Sequence, residues 1–224
     1  LHLDLNAKKY ETPADLIAML NQTLEKWEIV YGNEKKDRSP EERFAYVIER
    51  AYEQAGCGVV VLVDEYDKPL LQALDNDALL EDYRKTLKAF YGVLKSADRY
   101  LRFVFLTGVT KFSQVSAFGD LNQLNDISLD YSYATVCGIT RTELVETFTS
   151  EIEEFGRVNK LSAEETVDKM ARQYDGYHFH PKGDGVFNPF SVLNAFSKRE
   201  LGDYWFQTGT PTFLVEMLRK SEYD

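Results

Sequence analysis

Hydrophobic and polar positions alternate in Leu1-His2-Leu3-Asp4-Leu5-Asn6, the period-two pattern of a strand. Thr12-Pro13 supplies an N-cap and a first-turn proline. Leu16, Ile17, Leu20 and Leu24 then recur at helical spacing, prolonged by Trp27 and Val30. A charged turn over residues 32–38 separates this helix from a second one. The second is opened by Ser39-Pro40-Glu41-Glu42, carries Phe44, Val47, Ile48 and Tyr52, and ends near Gly56. Val59-Val60-Val61-Leu62-Val63 has no polar position at all, which predicts a strand apolar on both faces, inside a parallel sheet covered by helices. A loop over 70–77 with a short helical piece follows, then a helix over 78–96 and a strand over 101–106, stopped by Thr107-Gly108. Strands alternating with helices in this way predict an α/β fold with a doubly wound parallel sheet.

The pattern changes after Ser113. Residues 114–131 are polar and turn-rich, and Tyr133-Ala134-Thr135-Val136-Cys137 predicts one short strand. Capping boxes at Thr140-Arg141-Thr142-Glu143 and Ser162-Ala163-Glu164-Glu165 open helices running to about Phe155 and Tyr174. A hairpin is expected over 174–185, and Asn188-Pro189 and Thr210-Pro211 each begin a short helix. The chain thus divides near residue 140 into an α/β layer and a mostly helical remainder.

Composition narrows the function classes. With 26 Lys+Arg against 37 Asp+Glu, the net charge of −11 argues against broad contact with a phosphate backbone. No apolar run approaches the roughly 20 residues of a membrane span. Two cysteines, Cys57 and Cys137, are too few for a disulfide framework; they fit packed, reduced thiols in a cytoplasmic protein.

Val63-Asp64-Glu65-Tyr66-Asp67 is the sharpest chemical feature. A buried strand delivers carboxylates at its C-terminal end, where open α/β sheets place their ligands. Asp64 can hold Mg²⁺ through the ion's water shell, and Glu65 can orient and deprotonate an attacking water. That is the form of a Walker B segment with a catalytic Glu, although both acids equally fit a plain cap on the sheet edge. Dehalogenase-type phosphotransfer needs Asp-x-Asp, and a receiver domain needs an acidic pair on an earlier strand, where only Asp4 stands. A glycosidase would draw two carboxylates from separate elements. Thr107 ends the neighbouring strand and could sense a γ-phosphate, while Lys111 could approach phosphate charge; a strand end and a solvated loop lysine explain them as well. His178 and His180 flank Phe179 with no third ligand near in sequence. No G-x-x-x-x-G-K-[ST] or G-x-G-x-x-G phosphate loop occurs anywhere.

Several ordered motifs carry a resemblance across the whole chain. They are Leu1-His2-Leu3-Asp4-Leu5, Val63-Asp64-Glu65-Tyr66-Asp67-Lys68-Pro69 and Leu106-Thr107-Gly108-Val109-Thr110-Lys111-Phe112-Ser113, then Tyr133-Ala134-Thr135-Val136-Cys137-Gly138, Tyr174-Asp175-Gly176-Tyr177, Asn188-Pro189-Phe190-Ser191, and Tyr204-Trp205 through Thr210-Pro211-Thr212-Phe213-Leu214. The chain resembles the bacterial AAA-ATPase-like family of P-loop proteins, relatives of archaeal ATPases often fused to a C-terminal restriction-type nuclease-like domain. The resemblance implies a Walker B pair at Asp64 and Glu65, a sensor-like Thr107, and Mg²⁺ and ATP as cofactor and ligand. It implies an AAA-type core over residues 1–139 and a helical lid over 140–224. Aromatics as large as Trp205, Phe206 and Phe213 at a helix junction usually anchor a core, so all three are expected to be buried against the sheet's C-terminal edge.

The departure lies at the front, where the family places a strand and an Arg-x-x-Phe-Gly-Lys-Ser type P-loop. The expectation is therefore an internal segment of a longer protein, an AAA-type parallel sheet lacking its P-loop strand. Its open sheet edges would be relieved by an upstream peptide, by self-association with another chain, or by local rearrangement. Two functions stay open: an ATP-hydrolysing core whose phosphate-binding half lies elsewhere, and a non-catalytic regulatory or interaction module on the same scaffold. A nuclease-like neighbour and a nucleic-acid role follow by association only.

Overall fold

A computed structural model describes residues 1–109 and 124–205. Lys111, Phe206, Phe213 and the helix expected from Thr210-Pro211 lie outside the described residues. The chain divides into two compact units, Leu1–Asn125 and Asp126–Asp224.

The first unit runs β1 (His2–Asp4), α1 (Pro13–Tyr31), α2 (Pro40–Ala55), β2 (Val59–Asp64), α3 (Lys68–Gln72), α4 (Asp77–Ser96) and β3 (Leu101–Leu106). The three strands form a parallel sheet in the order β1-β2-β3. Val59, Val61 and Val63 of β2 are buried with Leu3 and Leu5 against the core side chains of α1, α2 and α4. Phe44 and Phe90 stack there with ring centroids 4.5 Å apart.

The alternate positions behave differently. Val60 is 41% exposed, Leu62 39% and Phe103 53%, so the second face of the sheet is bare among the described residues. This corrects the expectation of a strand covered on both faces. The reason is topological: parallel crossovers are right-handed, and two of them stepping in the same direction along a sheet lay their helices on the same face. Only a crossover stepping in the opposite direction along the sheet would bring helices to the other face. Among the described residues no strand pairs with the outer edge of β3.

Local capping fixes the helix starts. Thr12 and Ser39 precede Pro13 and Pro40, and their backbone N–H groups donate to Asp15 at 2.8 Å and to Glu42 at 3.3 Å. In the second unit the Thr140 and Ser162 N–H groups donate to Glu143 and Glu165, both at 2.8 Å. These bonds hold all four carboxyls below their ordinary range. The N-cap backbone is the main cause for the three glutamates, and the Thr12 hydroxyl for Asp15. A lowered carboxyl contributes stability above its unfolded value, and that contribution is lost as pH falls through the folded one. Glu42→Ala is therefore expected to lower the melting temperature at neutral pH. The difference should vanish once pH falls well below the ordinary carboxylate value of about 4. A melting difference that persists unchanged in acid would contradict this role.

The second unit comprises α5 (Arg141–Thr147), α6 (Thr149–Asn159), α7 (Ala163–Tyr174), β4 (Asp175–Tyr177), β5 (Val186–Phe187) and α8 (Pro189–Lys198). Its core gathers Phe155, Met170, Phe187 and Val192. Strands β4 and β5 pair antiparallel, as the hairpin reading expects. The single helix expected over 140–155 is broken at Phe148, which leaves helical geometry at φ −110°, ψ 32°.

The strand expected over 133–137 is absent. Residues Tyr131–Tyr133 form one 3-10 turn, begun by Asp130, whose side chain accepts the Ser132 N–H at 2.8 Å. Turn chemistry overrides β-propensity here. Extended pairing begins only at Ile139, which exchanges backbone bonds of 3.1 and 2.8 Å with Phe187. Gly138 permits that approach, since a Cβ there would stand 2.3 Å from the Val186 side chain. Cys57 and Cys137 are both exposed rather than packed, and Trp205 is 41% exposed rather than buried. No helix among the described residues is long and apolar enough to cross a membrane.

Candidate active site

Asp64 is the last residue of β2, and its alternation with Val63 turns it to the bare face of the sheet. Asp4, the last residue of β1, is its register partner. Beyond β3 the ladder continues one step: the Thr107 N–H donates to the Val63 carbonyl, and the Tyr66 N–H to the Thr107 carbonyl, both at 2.8 Å. Thr107 is thereby set beside Asp64, and its hydroxyl donates a hydrogen bond to the Asp64 carboxylate. Two residues 43 positions apart in sequence thus meet at the C-terminal edge of the sheet.

Glu65 follows at φ 55°, in the left-handed region. A non-glycine residue held there costs about 1–3 kcal/mol, which the surrounding structure must over-determine. The flanking bonds do so: Tyr66 N–H to Thr107, and Lys68 N–H to the Glu65 carbonyl at 2.9 Å. The turn sends the chain off the strand and leaves Glu65 half-buried. Burial raises its carboxyl above the ordinary value. Lys68 opposes that shift, while the nearby Asp67, Asp64 and Asp4 carboxylates reinforce it.

The donor set suits one kind of ion. Among the described residues no three His, Cys, Asp or Glu side chains gather closely enough to enclose a metal. An exposed carboxylate such as Asp64 fits Mg²⁺, which keeps most of its waters and is commonly shared between one or two carboxylates and substrate phosphates. His180 has a local role: its Nδ1 accepts the Lys182 N–H at 3.1 Å and closes a turn. Lys111 lies outside the described residues.

Comparison with known proteins follows the same ground. The family model described as predicted AAA-ATPase, AAA-ATPase-like, matches residues 1–118. The chain belongs to the AAA-ATPase-like family. That match spans β1, β2 and β3 and hence Asp64, Glu65 and Thr107 together. The chain is also 43% identical over 176 residues to an uncharacterized protein from the vnfD 5′ region of Azotobacter chroococcum mcd 1. The alignment covers 79% of this chain and 32% of that relative, so the chain spans about a third of the relative's length. No solved structure matches.

One polar residue at the site escaped the sequence reasoning as a candidate. Asp67 is fully buried, and both of its carboxylate oxygens accept the Val109 N–H, at 3.2 and 3.1 Å. The sequence signal was present, an acid three residues past Asp64, but its burial and its target are set by tertiary structure.

Proposed function

We propose that the C-terminal edge of β1, β2 and β3 is the metal- and water-handling half of an ATP-hydrolysing site. The Thr107–Asp64 hydrogen bond carries this proposal, because it aligns the Walker B aspartate with a polar strand-end residue on the bare face of a parallel sheet. Asp64 would hold Mg²⁺, an ion that keeps most of its waters and is commonly shared between a carboxylate and substrate phosphates. When bound, Mg²⁺ neutralises charge that develops on the phosphoryl oxygens. Glu65 orients the attacking water and takes its proton, a contribution of about 10²–10⁴-fold in general-base catalysis. Its raised carboxyl is suited to that task. Thr107 restrains Asp64 through its hydroxyl and would sense a γ-phosphate bound there. Lys111, which lies outside the described residues, would supply positive charge for the phosphates.

These residues lack one part of such a site, the backbone amides and lysine of a phosphate loop, for which the 224-residue sequence has no motif. We propose that this part comes from a segment outside these residues, adding a strand to the outer edge of β3 and covering Val60, Leu62 and Phe103. Among the described residues no strand pairs with that edge, and the sheet face beside it exposes apolar side chains, which supports that placement.

Two preparations test the proposal. The full-length protein is expected to hydrolyse ATP with an absolute requirement for Mg²⁺. The 224-residue chain alone is expected to show no calorimetric Mg-ATP binding in the micromolar range. Micromolar binding at one site per isolated chain would misplace the phosphate site. A full-length protein without Mg²⁺-dependent hydrolysis would favour the regulatory or interaction module instead.

A further inference from the structure

We propose that Asp67 is a positioning residue: by gripping the backbone immediately after Thr107, it fixes the threonine hydroxyl against Asp64. This rests on the hydrolytic reading of Asp64, Glu65 and Thr107 given above.

Asp67 stands at the N-cap position of α3, where an aspartate ordinarily accepts an N–H from the first turn of its own helix. Its side chain makes no such bond. It crosses instead to the exit of β3 and accepts the Val109 N–H through both oxygens. This fully buried acid leaves its own helix start without a side-chain cap and reaches 42 residues along the chain to the exit of β3. Contact on the intervening residue is equally close. A Cβ on Gly108 would stand 2.5 Å from the Tyr66 ring and 2.6 Å from Asp67 Oδ1. The backbone of Gly108 therefore lies directly on the Tyr66–Asp67 pair. Beneath it, the buried Tyr91 hydroxyl of α4 lies 3.5 Å from the Tyr66 carbonyl.

Thr107 is consequently held from two sides. The strand ladder through Val63 and Tyr66 fixes its own N–H and C=O, and Asp67 fixes the chain two residues later. The ladder reaches no further than Thr107, and the Asp67 bond takes over at the peptide that follows Gly108. Catalytic geometry is sensitive to displacements of about 1 Å, which cost up to about 100-fold in rate. Loss of the Asp67 grip should thus appear in turnover rather than in nucleotide affinity.

The test uses the full-length protein, with the folded fraction set by thermal melting. Asp67→Ala and Gly108→Ala disturb the same contact from opposite sides. Each is expected to lower kcat by about 10- to 100-fold with KM for Mg-ATP changed less than about threefold. Asp67→Asn keeps one oxygen for the Val109 N–H and should restore most of the loss. Thr107→Val gives the decisive arm: in that background Asp67→Ala should cost little more, because it acts through the hydroxyl already removed. An undiminished second loss in the Thr107→Val background overturns the proposal, as does wild-type kcat per folded molecule in Asp67→Ala. If Asp67→Ala does not fold, Gly108→Ala and Asp67→Asn are carried through the same cycle with the same criteria. Glu65→Gln run alongside separates the two levels. Turnover retained there sinks the hydrolytic reading itself, whereas turnover lost there with Asp67→Ala fully active sinks only the role of Asp67.

Discussion

Glu65→Gln in the full-length protein is expected to lose ATP turnover by about 10²–10⁴-fold while retaining Mg-ATP binding. Glutamine keeps the length and planarity of the side chain and one acceptor oxygen, but it cannot take a proton from water. The left-handed turn at φ 55° that aims the side chain is a property of the backbone, held by the Tyr66–Thr107 and Lys68–Glu65 bonds. The substitution therefore leaves the turn intact and removes only the base. Binding is spared on the proposed reading, in which Asp64 holds Mg²⁺ and a segment outside these residues holds the phosphates. Steady-state hydrolysis measured beside equilibrium nucleotide binding reads both halves of this expectation. Turnover unchanged within a factor of a few removes Glu65 from the mechanism.

The largest expected effect on stability lies in the helical layer. Arg43 of α2 and Glu28 of α1 form a buried two-pronged ion pair, Nε to Oε1 and Nη2 to Oε2 at 2.7 Å each. A third bond, Nη1 to Asn21 at 2.6 Å, engages another donor of the guanidinium. The pair welds the two helices that cover the sheet. Removing one partner strands the other charge out of water, at a cost of about 3–5 kcal/mol. Glu28→Gln or Arg43→Met alone should therefore lower the melting temperature by on the order of 10–20 °C. Glu28→Leu combined with Arg43→Met replaces the pair with apolar volume and should recover most of that loss. Thermal melts of the three variants decide the matter. Additive losses in the double variant would show that the site cannot accept apolar packing.

Much of the first unit was legible because its signals are local and strong. The alternation at 1–6, the uninterrupted run at 59–63 and the two Pro-containing capping boxes each specify an element without help from distant residues. Thr107 and Asp64 could be named as strand-end residues for the same reason. Their hydrogen bond could not, since it depends on the register that pairs Val63 with Leu106. The bare sheet face was hidden by a degeneracy. Val60 and Leu62 look identical in sequence whether helices cover them or not, and the common direction of the two crossovers leaves them exposed among the described residues. The Tyr133–Cys137 segment misled because its β-branched and aromatic residues outvote, by propensity, the one side-chain bond from Asp130 that starts a turn. Asp67 escaped because its spacing from Asp64 does not form the Asp-x-Asp pair, and nothing else in the local sequence marks it out. Its missing cap bond and its reach to Val109 exist only in three dimensions.

The measurement that bears most directly on the site is calorimetric titration of Mg-ATP into the full-length protein, with Asp64→Ala as the single change, both in the Glu65→Gln background to prevent turnover. One site per chain is expected with Asp64 in place, and a clear loss of Mg²⁺-dependent affinity without it, while nucleotide titrated without Mg²⁺ should bind the two proteins alike. Mg-ATP binding that is the same with and without the Asp64 carboxylate, or no binding at all, would contradict the assignment of the β2–β3 edge as a nucleotide site.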